Sequence, residues 1–126
     1  MIVGLGIDIV ELARIREMLD RHGDRFYRRI LSESEEAYCR SQADPVPHVG
    51  GRWAAKEAAV KAFGTGFSDG IGWKDVEVWR ETSGLPRLRF HGRAAELVRD
   101  RGITVAHVSL AHDRSVATAV VVLEVP

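Results

Sequence analysis

Trp53-Ala54-Ala55-Lys56-Glu57-Ala58-Ala59-Val60-Lys61 lies inside a helical run from His48 to Phe63, which Gly64 stops. Its apolar residues are mostly alanines, so the run reads as a closely packed helix and not a solvated one. It nevertheless holds a carboxylate, Glu57, bracketed by Lys56 and Lys61. About fifty residues upstream, Gly6-Ile7-Asp8-Ile9-Val10 poses the same conflict: Asp8 interrupts a run of Ile, Val and Leu. An acid in an apolar surround costs on the order of several kcal/mol unless a cation or donors satisfy it. Two such acids, distant in sequence, can meet on one divalent metal. The lysines beside the second suit a phosphate-bearing substrate.

Outward from these segments the chain reads as one α+β domain over residues 1–126. Ile2 to Val10 is β-branched and predicts a buried strand. From Glu11 the apolar spacing turns helical through Leu12, Ile15, Met18 and Leu19, ending near His22-Gly23. Phe26 to Leu31 is a short second piece, and Ser32-Glu33-Ser34-Glu35-Glu36 predicts a capped helix start. Asp44 to Pro47 is a loop, with Pro47 suited to a first helical turn. After Gly64, Thr65 to Gly72 is a loop. Asp75 to Trp79 and Leu85 to Phe90 form a hairpin turned at Thr82-Ser83-Gly84. A helix over Gly92 to Arg101 precedes a second hairpin, Ile103 to Leu110 and Ser115 to Val125, joined at His112-Asp113-Arg114.

The bulk numbers exclude several classes. Formal charge is zero, so the molecule as a whole does not announce a polyanionic partner. Fifteen Arg accompany three Lys, so two lysines flanking one Glu are a concentration worth explaining. The lone Cys39 forms no internal disulfide, and no Cys/His spacing suggests structural zinc. The first apolar run is too short to span a bilayer and lacks a basic leader, so the expectation is a cytoplasmic protein with no membrane role.

Each chemical reading has a plainer rival. Asp8 at a strand end could cap the following helix. Glu57 and Lys61 share a helix face and could be an exposed ion pair of about 0.3–0.5 kcal/mol. Gly64-Thr65-Gly66 could offer amides to a phosphate beside Lys61, or Gly64 could merely end the helix. Arg14, Met18, Arg21, Arg25 and Arg28 step by helical spacing and lie on one stripe if the register continues through Gly23. That stripe is either a solvated face, with Glu17, Asp20 and Asp24 interleaved, or a landing surface for an acidic helix. Nucleic acid fits poorly with the zero charge and the interleaved acids. His107 and Ser109 share one face of a strand. His112 and Asp113 read as turn residues, and His22, His48 and His91 carry no chemical signal.

Gly6-Ile7-Asp8 followed by Trp53-Ala54-Ala55-Lys56-Glu57-Ala58-Ala59-Val60-Lys61 resembles the phosphopantetheinyl transferases, and within them the small bacterial holo-acyl-carrier-protein synthases. Gly64-Thr65-Gly66, Gly84-Leu85-Pro86 and Val108-Ser109-Leu110-Ala111-His112-Asp113 follow in the family's order, so the likeness covers nearly the whole chain. The resemblance implies the 4′-phosphopantetheinyl transferase fold: an antiparallel sheet with a long central helix, forming a homotrimer with active sites between subunits. It implies transfer of 4′-phosphopantetheine from coenzyme A to a serine of apo acyl carrier protein, in fatty acid biosynthesis. It assigns Mg²⁺ to Asp8 and Glu57, and catalysis to these with Lys61. It places the coenzyme on Lys61, Gly64, Thr65 and Gly66, with His107 and Ser109 across the subunit boundary. The carrier would dock on the Arg14–Arg28 stripe. Val10 stands where other branches carry a third acid. A Mg²⁺-dependent pyrophosphate or coenzyme A hydrolase, or a non-catalytic oligomeric binding module, are the rival classes.

Overall fold

The computed structural model describes residues 1–126. Strand β1 (Ile2–Glu11) leads into α1 (Leu12–His22), α2 (Asp24–Ile30), α3 (Glu33–Arg40) and the long α4 (Val46–Phe63). A short 3₁₀ turn (Trp73–Asp75) opens the hairpin of β2 (Val76–Arg80) and β3 (Pro86–Phe90). Helix α5 (Gly92–Asp100) then precedes the hairpin of β4 (Val105–His112) and β5 (Val116–Glu124). The α+β order expected from the sequence is the observed one. β1, β5 and β4 form an antiparallel sheet in that order, and β2–β3 form a second, smaller one.

The ends of these elements follow local chemistry. Ser32 caps α3 with a full capping box, its hydroxyl accepting from Glu35 N while Glu35 accepts from Ser32 N. Pro47 sits in the first turn of α4, and Gly64 closes that helix in the left-handed conformation at φ 78. Glu77 then ties α3 to the smaller sheet. Burial pushes its carboxyl up, but hydrogen bonds from Ser32, His91 and Ser34 outweigh this and bring it down to about 2.

The sheet packs on α4 through an unusually close approach. Gly4, Gly6, Asp8 and Val10 point from β1 toward the helix; a Cβ at Gly6 would overlap the carbonyl oxygen of Ala58, and one at Gly4 that of Ala62. Glycine on the strand and alanine on the helix are thus one device: side chains are small on both surfaces, so backbone meets backbone. Behind this contact Val49, Ala54, Ala55, Ala58, Ala59 and Val60 are fully buried.

One expectation fails here. β1 is not buried on both faces. Leu5, Ile7 and Ile9 point away from α4 and are 65–66% exposed. The apolar run hides an alternation in which the small residues face inward. In register with these residues across β5 and β4 stand Val120, Val122, His107 and Ser109. The sheet therefore carries an open face that is apolar along β1 and β5 and more polar along β4.

Candidate active site

Between Gly51 and Phe63, α4 reaches the surface at only three residues: Trp53, Glu57 and Lys61. Their spacing of four sets them on one stripe, bordering the free edge of β1. Lys61 Nζ donates to the Asp8 carboxylate at 2.9 Å and to the Ile7 carbonyl at 3.1 Å. The Asp8 side chain is 13% exposed, whereas Lys61 is half exposed. Asp8 does not cap α1, whose start has no side-chain cap. Burial pushes the Glu57 carboxyl up, and the neighbouring Asp8 charge pushes it further, against the pull of Lys61 and Arg14. The two acids and the lysine singled out from the sequence are thus brought together, with Asp8 close enough to oppose the ionisation of Glu57.

That opposition is the feature a cation would relieve. No third His, Cys, Asp or Glu joins Asp8 and Glu57. A set of two carboxylates suits Mg²⁺, which keeps waters and takes substrate phosphate oxygens for its remaining positions.

Other expected contacts divide. Lys56 is not on the stripe: it is fully buried and paired with Glu35 at 2.8 Å, so the idea that both flanking lysines meet a phosphate is corrected. Adjacent helix positions lie about 100° apart, and Glu57 takes the outward one. The amides of Gly64, Thr65 and Gly66 are engaged by the Lys61 and Val60 carbonyls, which gives them the helix-closing use. The loop borders Lys61 but presents its amides inward. His107 and Ser109 occupy the open sheet face, opposite the side of the sheet on which Asp8 points to α4. In one chain they cannot reach the acid pair.

The arginine stripe is also reshaped. Gly23, at φ 55 and ψ −126, breaks the helix, so the register does not run on from α1 into α2. Arg14 lies over the Trp53 ring at 5.3 Å, at the border of the acid pair. Arg21 pairs with Glu17 and Arg28 with Asp24. Met18 and Arg25, joined by Arg29 in place of Arg28, line a cleft of about 300 Å³ whose walls include Phe26, Trp53 and Trp73. An aromatic stack forms the far wall: Trp73 lies 4.0 Å from Phe67 and 4.5 Å from Trp53.

Sequence reasoning missed this stack, although Trp53 stands in the motif itself. It also missed a cluster near the start of α4 made of Arg52, Arg80, His48 and His112, in which burial and the neighbouring Arg52 push the His48 imidazole's pKa down. Arg52 is 2% exposed, its Nε has no partner, and it lies over the Tyr38 ring at 4.4 Å. The His48 and His112 rings are 6.1 Å apart. The one hint was Arg52, directly before the Trp53–Lys61 motif.

A family model described as the 4′-phosphopantetheinyl transferase superfamily matches residues 4–119. The chain is 56% identical over 124 residues to the holo-[acyl-carrier-protein] synthase of Desulfovibrio desulfuricans, covering 98% of each chain. It is 46% identical to that of Serratia proteamaculans over 123 residues, again covering 98% of each. The fold matches the crystal structure of the Neisseria meningitidis holo-[acyl-carrier-protein] synthase at a TM-score of 0.91, with 31% identity over 98% of this chain and 99% of that one. It matches the Bacillus anthracis enzyme in complex with CoA (3′,5′-ADP) at a TM-score of 0.84, with 38% identity over 100% of this chain and 99% of that one.

Proposed function

Because the chain belongs to the 4′-phosphopantetheinyl transferase superfamily, we propose that it is a holo-[acyl-carrier-protein] synthase. It transfers the 4′-phosphopantetheine group of coenzyme A to a serine of apo acyl carrier protein, releasing adenosine 3′,5′-bisphosphate. The observation that carries this reading is the accessible stripe of α4, which sets Glu57 and Lys61 beside Asp8.

The serine oxygen forms a bond to the β-phosphorus of the coenzyme's pyrophosphate, and the bond from that phosphorus to the bridging oxygen breaks. Mg²⁺ held by Asp8 and Glu57 would neutralise the pyrophosphate oxygens and orient them. Lys61 is half exposed and already turned toward Asp8, so its ammonium can swing to a phosphate oxygen on the leaving side. Glu57 is the accessible carboxylate on the stripe that can receive the serine proton. The loop of Gly64, Thr65 and Gly66 walls the coenzyme beside Lys61.

His107 and Ser109 would serve a neighbouring subunit's site, since they share the open sheet face with Leu5, Ile7 and Ile9. That apolar face supports a homotrimer with sites between subunits. The carrier docks on α1 and α2, with its acidic helix against Arg14, Arg21, Arg25 and Arg28, and an apolar side chain in the cleft beside Met18. The protein works in the cytoplasm, and no helix of the structure is long and apolar enough to cross a membrane.

The test is coenzyme A with Mg²⁺, with and without apo carrier protein, followed by chromatography of the nucleotide products. Adenosine 3′,5′-bisphosphate should accumulate only when the carrier is present. Release without a carrier would identify a hydrolase instead.

A further inference from the structure

Lys56 directly precedes the acid of the site and never touches it. Its Nζ spends its three hydrogens inside the core: on Glu35 Oε1 at 2.8 Å, the Trp73 carbonyl at 2.9 Å and the Val76 carbonyl at 2.6 Å. Those two carbonyls lie at either end of the Trp73–Asp75 turn, so one ammonium pins the turn from inside. Glu35 is equally committed. It also accepts from Ser32 N at 2.8 Å and, through its other oxygen, from Val78 N at 3.0 Å. Helices α3 and α4, the turn and β2 therefore meet at a single ion pair, both of whose side chains are 0% exposed.

A buried ion pair is a poor device for stability alone, because desolvation consumes most of the attraction and apolar residues of like volume often serve as well. What this pair does fix is a geometry. The Trp73 backbone is held by Lys56 from within, and its ring faces outward between Phe67 and Trp53. Trp53 stands one turn before Glu57 on the accessible stripe. Trp73 and Trp53 together wall the cleft beside Met18 and Arg25.

We propose that Lys56 is a positioning residue for the protein acceptor: held by Glu35, it fixes the Trp73 backbone and so sets the Trp73–Trp53 wall against which the carrier's apolar side chain packs. The inference rests on the reading of this cleft as the carrier's docking surface. It separates two roles in adjacent residues. Glu57 faces the chemistry, and Lys56 shapes the groove that delivers the hydroxyl.

The test is steady-state kinetics of Lys56→Met, a substitution of similar length without the donors, with Arg25→Glu and Trp73→Leu measured alongside. In Lys56→Met the KM for the carrier should rise at least about tenfold, because a displaced wall spoils a central packing contact. The KM for coenzyme A and kcat at saturating carrier should stay within about twofold of wild type. The near-ultraviolet circular dichroism of the stacked indoles should weaken in the same variant. A merely structural lysine would lower kcat through a smaller folded fraction and leave both KM values alone; that result overturns the proposal. If Lys56→Met does not fold, Trp73→Leu decides, since it removes the wall and leaves the buried pair: a raised carrier KM supports the proposal and an unchanged one overturns it. If Arg25→Glu raises the carrier KM while the wall variants do not, the positioning role alone fails. If none of the three raises it, the docking surface itself is misplaced and the proposal falls with it.

Discussion

Asp8 and Glu57 are the residues on which the proposed chemistry depends. Asp8 is held nearly buried beside Lys61, and its charge adds to burial in opposing the ionisation of Glu57. Asp8→Ala and Glu57→Ala should therefore each abolish transfer while leaving far-ultraviolet circular dichroism and thermal unfolding close to wild type. Removing Asp8 takes away a charge that repels Glu57, and removing Glu57 takes away a carboxylate that burial disfavours. Near-full activity of either variant at saturating Mg²⁺ would remove that residue from the ligand set. At this scale much was legible. Both acids announced themselves as charges in apolar segments, and Lys61 by its spacing from Glu57. Lys56 was not legible, because a sequence of adjacent charges does not say which side of a helix is buried. Its partner Glu35 looked like an ordinary acid in a capped helix start, and only the packing of α3 against α4 makes it an ion-pair partner.

The element scale is governed by the contact between β1 and α4. Gly4 and Gly6 let the helix come near enough for Asp8 to stand beside Glu57 and Lys61, so packing and chemistry share one cause. Gly6→Ala should cost about 2–3 kcal/mol by overpacking and lower the melting temperature by roughly 10 °C. Differential scanning calorimetry checks this, and a melting temperature within a degree or so of wild type would show that the strand can yield. The sequence run Ile2 to Val10 was correctly a strand, but its facing was not legible. The large apolar residues lie on the phase that turns outward and the small ones on the phase that is buried, and the deciding fact is the alanine surface of a helix some fifty residues away. The helix break at Gly23 was visible as a glycine, yet the sequence spacing across it still suggested one continuous stripe. Because α2 starts afresh, Arg25 and Arg29 share the cleft with Met18, and Arg14 turns toward Trp53. Arg25→Glu is thus a cleaner probe of docking than a change at Arg14. It should raise the carrier KM by at least roughly tenfold while leaving the coenzyme KM nearly unchanged, since like-charge contacts at an interface cost several kcal/mol. An unaltered carrier KM would make the arginines a solvated face only.

At the scale of the whole molecule, the open sheet face is the unresolved surface of a single chain. Leu5, Ile7 and Ile9 are exposed along an edge strand, a combination that soluble proteins cover. On the proposed homotrimer with shared sites, Ile7→Asp should give monomers in sedimentation velocity and should abolish activity, because His107 and Ser109 would then have no neighbouring site to complete. A fully active monomer would contradict the shared-site arrangement. In the sequence His107 and Ser109 were legible only as sharing one strand face, and the structure shows that this face is the uncovered side of the sheet. The central claim, transfer of a phosphopantetheine group to a carrier serine, is tested most directly by the intact mass of the carrier. Apo carrier protein is incubated with coenzyme A, Mg²⁺ and the enzyme, with Asp8→Ala as the control. The account predicts that the wild-type enzyme adds the mass of one 4′-phosphopantetheine group, that the control adds nothing, and that replacing the acceptor serine by alanine prevents the gain. An unmodified carrier in the presence of folded, oligomeric enzyme would contradict it.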